Sequence, residues 1–467
     1  MKFNYPLITV YITNFNYGKF LNTCIKSVLG QTFKDFELII IDDGSTDNSI
    51  KIIKKFKKNQ NIRFIFQKNK GLIKTNNIAI RASKGKFILR LDADDYLDPN
   101  ALLVLSNEIN KSEDTALVYS DFFLINEKNA IIKHERRLSY KNEIKNFNNP
   151  AHGACSLIRK RCLEEVNLYD EKFDRQDGID IWYKFINKYK IRKVSLPLFY
   201  YRQHQKNLTL NSKKLFQTRD KILEKFSKIK NINTQKIKKV ACVIPVRGKV
   251  YTNNCMSMEK LKNKPLLFWT IEDALKSKKI DKIIITTSDE NILKKLKKKF
   301  KNKIFYHKRS NKYSMENTNF SDAVISAINF KYKNNKPNYL IVLGFENPFR
   351  TFFYIDTAIN SLVLHNTDKV ISVNKDINSN YYKYRGNNLV NINNNKLNEL
   401  KLEKEDIFEE KGGISVYNYS SFLKSVSGNK LKKISYIVMD RKSSFVVSDY
   451  LDLEVANKVI SKIKDQK

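Results

Sequence analysis

Short apolar runs alternate along this chain with amphipathic stretches of helix length, and that alternation constrains the fold more than any other feature. In the first half the apolar runs cover residues 7–13, 36–41, 63–66, 87–91 and 116–119, with helical periodicity over 20–29, 49–56, 73–82 and 99–109. A helix between two strands carries the chain back along the sheet, so the strands run parallel and both faces of the sheet are covered. The expected architecture is α/β, a doubly wound and mostly parallel sheet. The alternation stops over residues 211–238, where a Lys-rich amphipathic helix gives way to the polar string KNINTQKIKK. It starts afresh at 240–245 and runs on through 282–287, 304–306, 339–343 and 369–373. A length of 467 residues suits two or three domains. The break divides the chain into a domain over 1–232, a linker over 233–238 and a second α/β domain over 239–467. Residues 376–398, rich in Asn, Lys and Tyr, read as a loop, and 451–463 as a closing helix.

The net charge of +39 invites a nucleic-acid reading. Only 16 of the 87 basic residues are arginine, however, and the lysines travel with abundant Asn and Ile. That is a compositional bias rather than the Arg-led signature of base readers, so no nucleic-acid partner is expected. The partner role left to the charge is peripheral contact with an anionic membrane face through Lys-rich helices such as 213–230. Five cysteines form no CxxC pair and no cluster with histidine, which argues against a zinc site or a disulfide framework and fits a reducing cytoplasm. The N-terminal MKFNYPLITV lacks the apolar core of a signal peptide, and no apolar run reaches the ~18 residues that span a bilayer.

In a doubly wound sheet ligands bind beyond the carboxyl ends of the strands, so the residues just after each apolar run are where chemistry is sought. The first run ends in Thr13-Asn14-Phe15-Asn16, the second in DDGSTD (42–47) and the fourth in DADD (92–95). Carboxylates this close repel one another, and a divalent cation, Mn²⁺ or Mg²⁺, relieves the repulsion when held by one or two of them together with substrate phosphates.

The opening ITVYITNFNYGKFLNTCIKSVLGQTFKDFELIIIDDGSTDNS, with DADD in the place of a DxD motif, resembles the family 2 glycosyltransferases of the GT-A fold over residues 5 to about 205. The resemblance implies that Thr13 and Phe15 line a nucleoside and that Asp43 accepts from its base. Asp92 and Asp94 would hold ribose and a diphosphate-bound metal, with Asp95 beside them, while Gly71 and Asn77 would lie near the donor. Arg202 and His204, in YYRQHQKN, match a tail motif that approaches the diphosphate or metal. The chemistry implied is one inverting displacement, in which a base deprotonates the acceptor hydroxyl as it attacks the anomeric carbon. In FDRQDGIDIWYKF, anchored on Trp182, Gly178 stands where the family has its usual Asp, so the base moves to Asp177 or Asp180. The other reading of Asp177 is a helix cap. The partners implied are a nucleotide-sugar donor and a glycan or lipid-linked acceptor.

The second half opens on VACVIPVRGKVYTNNC and, with IDKIIITTSDENI, LGFENPFRTFFYIDTAI, GGISVYNYSSFL and SDYLDLEVANKVI, is similar to the cytidylyltransferases that activate acidic sugars, the acylneuraminate (CMP-sialic acid) synthetases. That resemblance implies a CTP or CMP-sugar site around Arg247, Gly248 and Lys249. The rest of the phosphate loop has changed, and Val446 and Ser448 stand where the family keeps its metal-holding aspartates. Two readings stay open, an active nucleotidyltransferase and a noncatalytic nucleotide-binding or docking module.

Overall fold

The computed structural model describes residues 5–138, 155–186, 188–204, 217–219, 221–226, 239–248, 255–314, 318–376, 382–385, 388–391 and 407–464. These fall into two compact units that part between Ile222 and Leu223. The linker expected at 233–238 and most of the Lys-rich helix 213–230 lie outside the described residues.

The first unit is built on strands β1 (Ile8–Asn14), β2 (Phe36–Asp42), β3 (Ile62–Phe66), β4 (Phe87–Asp92), β5 (Tyr96–Leu97), β6 (Thr115–Ile125), β7 (Ile131–Glu135), β8 (Leu157–Arg159) and β9 (Lys190–Arg202). They form one nine-stranded sheet in the order β3-β2-β1-β4-β8-β6-β9-β5, with β7 added to β6. The four strands from β3 to β4 are parallel, as the alternation predicts. The remainder of the sheet is mixed: β8 runs antiparallel to both β4 and β6, while β6 and β9 are parallel. All seven residues of β1 and all seven of β2 are buried, which is why these strands read as unbroken apolar runs rather than alternating ones. Helices α1 (Gly18–Leu29), α2 (Ser49–Lys54), α3 (Leu72–Ala82), α4 (Ala101–Asn110), α5 (Lys160–Glu165) and α6 (Asp177–Phe185) complete the unit. Leu21, Cys24, Ile25 and Val28 of α1 pack with Val10 and Ile12 of β1, Leu38 and Ile40 of β2 and Leu89 and Leu91 of β4 in one core.

The second unit repeats the plan. Seven strands lie in the order 305–308, 282–287, 240–245, 339–343, 407–418, 369–376, 434–438. The first four of these are parallel, and strand 407–418 enters antiparallel between 339–343 and 369–376. Part of the stretch read as a loop forms a two-stranded antiparallel ladder, Tyr382–Arg385 with Asn388–Asn391. The closing helix runs Tyr450–Lys464, and its start is capped reciprocally, Asp449 Oδ1 accepting from Asp452 N at 2.9 Å and Asp452 Oδ2 from Ser448 N at 2.9 Å. Among the described residues no helix is long and apolar enough to cross a membrane. All five cysteines are buried and free.

Candidate active site

Parallel pairing in register brings the strand ends together. Thr13 lies opposite Ile41 of β2 and opposite Asp92 of β4, and Asn14 lies opposite Asp42. The loops that follow are knitted by short polar side chains. Asn14 Nδ2 donates to Asp42 Oδ2 at 2.8 Å and to Ser45 Oγ at 3.0 Å, and Asn16 Oδ1 accepts from Thr46 N at 2.7 Å. Asp47 Oδ2 accepts from Gly18 N at 2.9 Å, fixing the start of α1, while its Oδ1 accepts from Ser49 N at 2.9 Å. Thr13 is buried with its hydroxyl unpartnered among the described residues, and Phe15 stands 44% exposed on the same loop.

Asp43 is almost fully buried and holds a third loop. Its Oδ1 accepts from Gln67 Nε2 at 2.7 Å and Lys70 N at 2.8 Å, and its Oδ2 from Gly71 N at 2.9 Å. Gly71, at φ +84°, turns the chain into α3 through a backbone conformation that only glycine adopts without strain. Asn77 is engaged away from these loops: its amide pairs with the backbone of Tyr169 at 3.0 and 3.1 Å and donates to Glu171 at 2.9 Å. The resemblance implies a place near the donor for it, and its bonds make it the anchor of the segment that leads into α6.

The acidic cluster after β4 is divided among three neighbours. Asp94 Oδ2 meets His204 Nε2 at 3.0 Å, and the imidazole stacks on Phe20 with centroids 5.3 Å apart. Burial pushes the Asp94 carboxyl up, against the His204 hydrogen bond, and the charge of Asp92 adds to the rise. Asp95 Oδ1 accepts from Arg202 N at 2.8 Å, while its buried Oδ2 has no partner among the described residues. Burial, then the charges of Asp94 and Asp92, hold the Asp95 carboxyl well above its ordinary range. Arg202, expected at the diphosphate, is 2% exposed and spends its guanidinium on backbone, donating to the carbonyls of Asp94 at 2.8 Å and Asn126 at 3.0 Å. It braces the DADD turn.

Asp92 is claimed by a residue that sequence reading passes over. Arg90, two positions earlier on β4, forks onto it with Nε to Oδ1 at 2.7 Å and Nη2 to Oδ2 at 3.0 Å. The guanidinium also reaches Asp177 Oδ2, which accepts from Asn76 Nδ2 at 3.1 Å as well. Burial alone lowers the Arg90 group, but Asp177 and Asp92 more than offset it and hold it above its usual value. The available signal was an arginine at the centre of the apolar run FILRLD. Asp177 thus opens α6 with its carboxylate turned to Arg90 rather than to a cap, and Oδ1 makes no hydrogen bond with the described residues. Asp180, 1% exposed, is bonded to Asp170 N at 3.2 Å and paired with Lys184 at 2.8 Å, the contacts of a packing residue.

Among the described residues no three or more His, Cys, Asp or Glu converge as a ready-made metal cage. The groups that suit a divalent cation are Asp94 and His204, with the unpartnered Asp95 Oδ2 behind them. Few protein ligands, completed by substrate phosphates, is the arrangement Mg²⁺ and Mn²⁺ favour, so the residues fit such an ion.

In the second unit Arg247 and Gly248 follow the first strand, and Lys249 lies outside the described residues. Gly248 lies against Asp289, whose Cβ would be 2.6 Å from any side chain added there. Arg309, 4% exposed, donates to Val246 O at 3.0 Å and to Ser314 Oγ at 2.9 Å, and burial with the nearby Arg247 charge lowers it to about 10. Val447 N donates to Glu346 O at 2.8 Å, so the Val446–Ser448 stretch lies beside Glu346, whose carboxyl burial raises.

Two family descriptions match the chain, glycosyl transferase family 2 over residues 9–166 and cytidylyltransferase over 257–452. An Escherichia coli chondroitin synthase is 40% identical over 116 residues, 25% of this chain and 17% of that protein. An uncharacterized glycosyltransferase of Methanocaldococcus jannaschii is 31% identical over 206 residues, 42% of this chain and 71% of that protein. A solved structure of S. aureus TarS with UDP overlaps 47% of this chain and 65% of its own, at 16% identity and a TM-score of 0.38. The chain spans less than a fifth of the length of the chondroitin synthases it matches. With residues 9–166 carrying the transferase pattern and the Methanocaldococcus relative matched over most of its length, the chain belongs to the family 2 glycosyltransferases, with a cytidylyltransferase domain following its transferase domain.

Proposed function

We propose that the first domain, residues 1–232, transfers a sugar from a nucleotide-sugar donor to a glycan or lipid-linked acceptor in the assembly of a bacterial surface polysaccharide, by an inverting, cation-assisted displacement. The observation that carries this reading is the cluster at the ends of β1, β2 and β4, with Asp94 facing His204 at 3.0 Å. The chondroitin synthase likeness supports a polysaccharide product. Phe15 and Thr13 receive the nucleoside, with Asp43 bordering the base. Asp94 and His204 hold Mn²⁺ or Mg²⁺. The ion, when bound, offsets the charge that develops on the departing diphosphate. Asp177, held at Oδ2 by Arg90 and Asn76, takes the acceptor hydroxyl proton at Oδ1. Asp180 stays with Lys184.

The test is donor turnover by the full chain over a panel of nucleotide sugars with Mn²⁺, followed as nucleotide release. Asp94→Ala is expected to abolish metal-dependent release, and Asp177→Asn to remove transfer while sparing donor binding. A near-normal rate in Asp177→Asn refutes the base assignment.

For residues 239–467 we favour binding of a nucleotide or CMP-sugar without turnover, because Val446 supplies no ligand and Ser448 only a neutral hydroxyl where two carboxylates would hold the cation a triphosphate needs. Pyrophosphate release from CTP with any acidic sugar would overturn that reading and make the chain bifunctional. Contact with the inner face of an anionic membrane belongs to the same proposal and is tested by salt-sensitive liposome binding.

A further inference from the structure

A buried arginine in the middle of an otherwise apolar strand needs a reason. Leu89 and Leu91 on β4 pack into the core, so strand alternation sends Arg90 to the opposite face, with Asp92 two residues further along that same face. There the guanidinium, 6% exposed, joins three elements: Asp92 at the end of β4, Asp177 in the first turn of α6 and, through Asp177, Asn76 of α3. Both oxygens of Asp92 face Arg90 nitrogens, at 2.7 and 3.0 Å. A divalent cation sharing that carboxylate would sit close to a fixed positive charge in a buried site, where the repulsion is poorly screened. Among the described residues no arginine forks onto the Asp94 carboxylate: Arg202 Nε meets its backbone carbonyl instead, at 2.8 Å, and Oδ2 faces the imidazole of His204, a side chain that can itself be a ligand.

We infer that Arg90 is a positioning residue that withholds Asp92 from the cation, leaving the ion to Asp94 and His204, and fixes Asp177 relative to the donor end of the site. The first half rests on the cation reading above and the second on the transfer reading.

The experiment is a titration of the full chain with Mn²⁺ alone, followed by the electron paramagnetic resonance of free Mn²⁺, in Asp92→Asn, Asp94→Asn, Arg90→Met and Arg90→Lys. Asp94→Asn is expected to weaken Mn²⁺ at least about tenfold and Asp92→Asn less than about threefold. Arg90→Met, which frees Asp92, tightens Mn²⁺, and Arg90→Lys, which keeps the charge, stays near the wild type. Equal losses in Asp92→Asn and Asp94→Asn overturn the assignment whether or not Arg90→Met folds. In turnover, Arg90→Met lowers kcat with little change in donor KM, and Arg90→Lys restores part of it; an unchanged kcat overturns the Asp177 half. A wild-type chain that binds no Mn²⁺ refutes the cation-assisted reading instead. Arg90 is then judged by an unfolding cycle of Arg90→Met with Asp177→Asn, where coupling of at least about fivefold in the unfolding constant supports it and additivity overturns it.

Discussion

Replacing Asp43 by alanine tests the link between the acidic strand ends and the loops they organise. One carboxylate, 4% exposed, accepts from Gln67 Nε2, Lys70 N and Gly71 N at 2.7, 2.8 and 2.9 Å. Hydrogen bonds to a charged group contribute about 1.5–3 kcal/mol each. The freed Lys70 and Gly71 amides rehydrate, and removing a buried carboxylate recovers part of its desolvation, so the three bonds together reduce to about 3 kcal/mol. For a unit of this size that is a fall of roughly 6–12 °C in Tm. The assay is urea unfolding of the full chain, fitted with a separate transition for each unit, alongside hydrogen exchange at the Lys70 and Gly71 amides. The exchange protection of those two amides should fall to that of an open loop. Gly44→Ala supplies an independent perturbation, since the added Cβ would lie 2.9 Å from Asn69 N on the same loop at a φ of +82°. A loss under about 1 kcal/mol, with both amides still protected, would refute the argument that Asp43 is the post on which this loop hangs.

Arg350→Met should destabilise the second unit by about 2–4 kcal/mol in denaturant unfolding, because it strips donors from the carbonyls of Gly412, Gly413 and Gly344, now met at 3.0, 2.8 and 2.9 Å. Acid sensitivity of the same unit should trace in part to His307. Burial, then the Arg309 charge, lowers its folded pKa, so the unfolded chain binds the proton more readily and stability falls as pH drops through roughly 6.5. His307→Gln should flatten that slope, read as Tm against pH. Gly71→Ala meets no atom within 4 Å yet should cost about 1–3 kcal/mol in urea unfolding, from backbone strain alone. Phe15→Ala should raise donor KM more than it lowers kcat, since an exposed ring on the first loop binds but does not react.

The α/β plan was legible in the sequence because β1 and β2 are buried on both faces, which forces uninterrupted apolar runs, and because the intervening helices carry their own 3.6-residue period. The acidic strand ends were legible for a related reason: chain order alone puts Asp42, Asp43 and the DADD turn at the carboxyl edge of a parallel sheet. The mixed half of the sheet was not, since β8 and β9 pair with strands far from them in the chain, and pairing over such distances leaves no local period. Nor could sequence order say which carboxylate meets which cation. Arg90 and Asp177 are 87 residues apart, Asp94 and His204 are 110 apart, and only the tertiary fold brings the start of α6 to Arg90 and the residues after β9 to the DADD turn. Strand-end chemistry named the carboxylates of the DADD turn, and the family resemblance named His204 and Asp180; tertiary packing divided them, giving Asp92 to Arg90, Asp95 to the backbone of Arg202, Asp180 to Lys184 and Asp94 to His204.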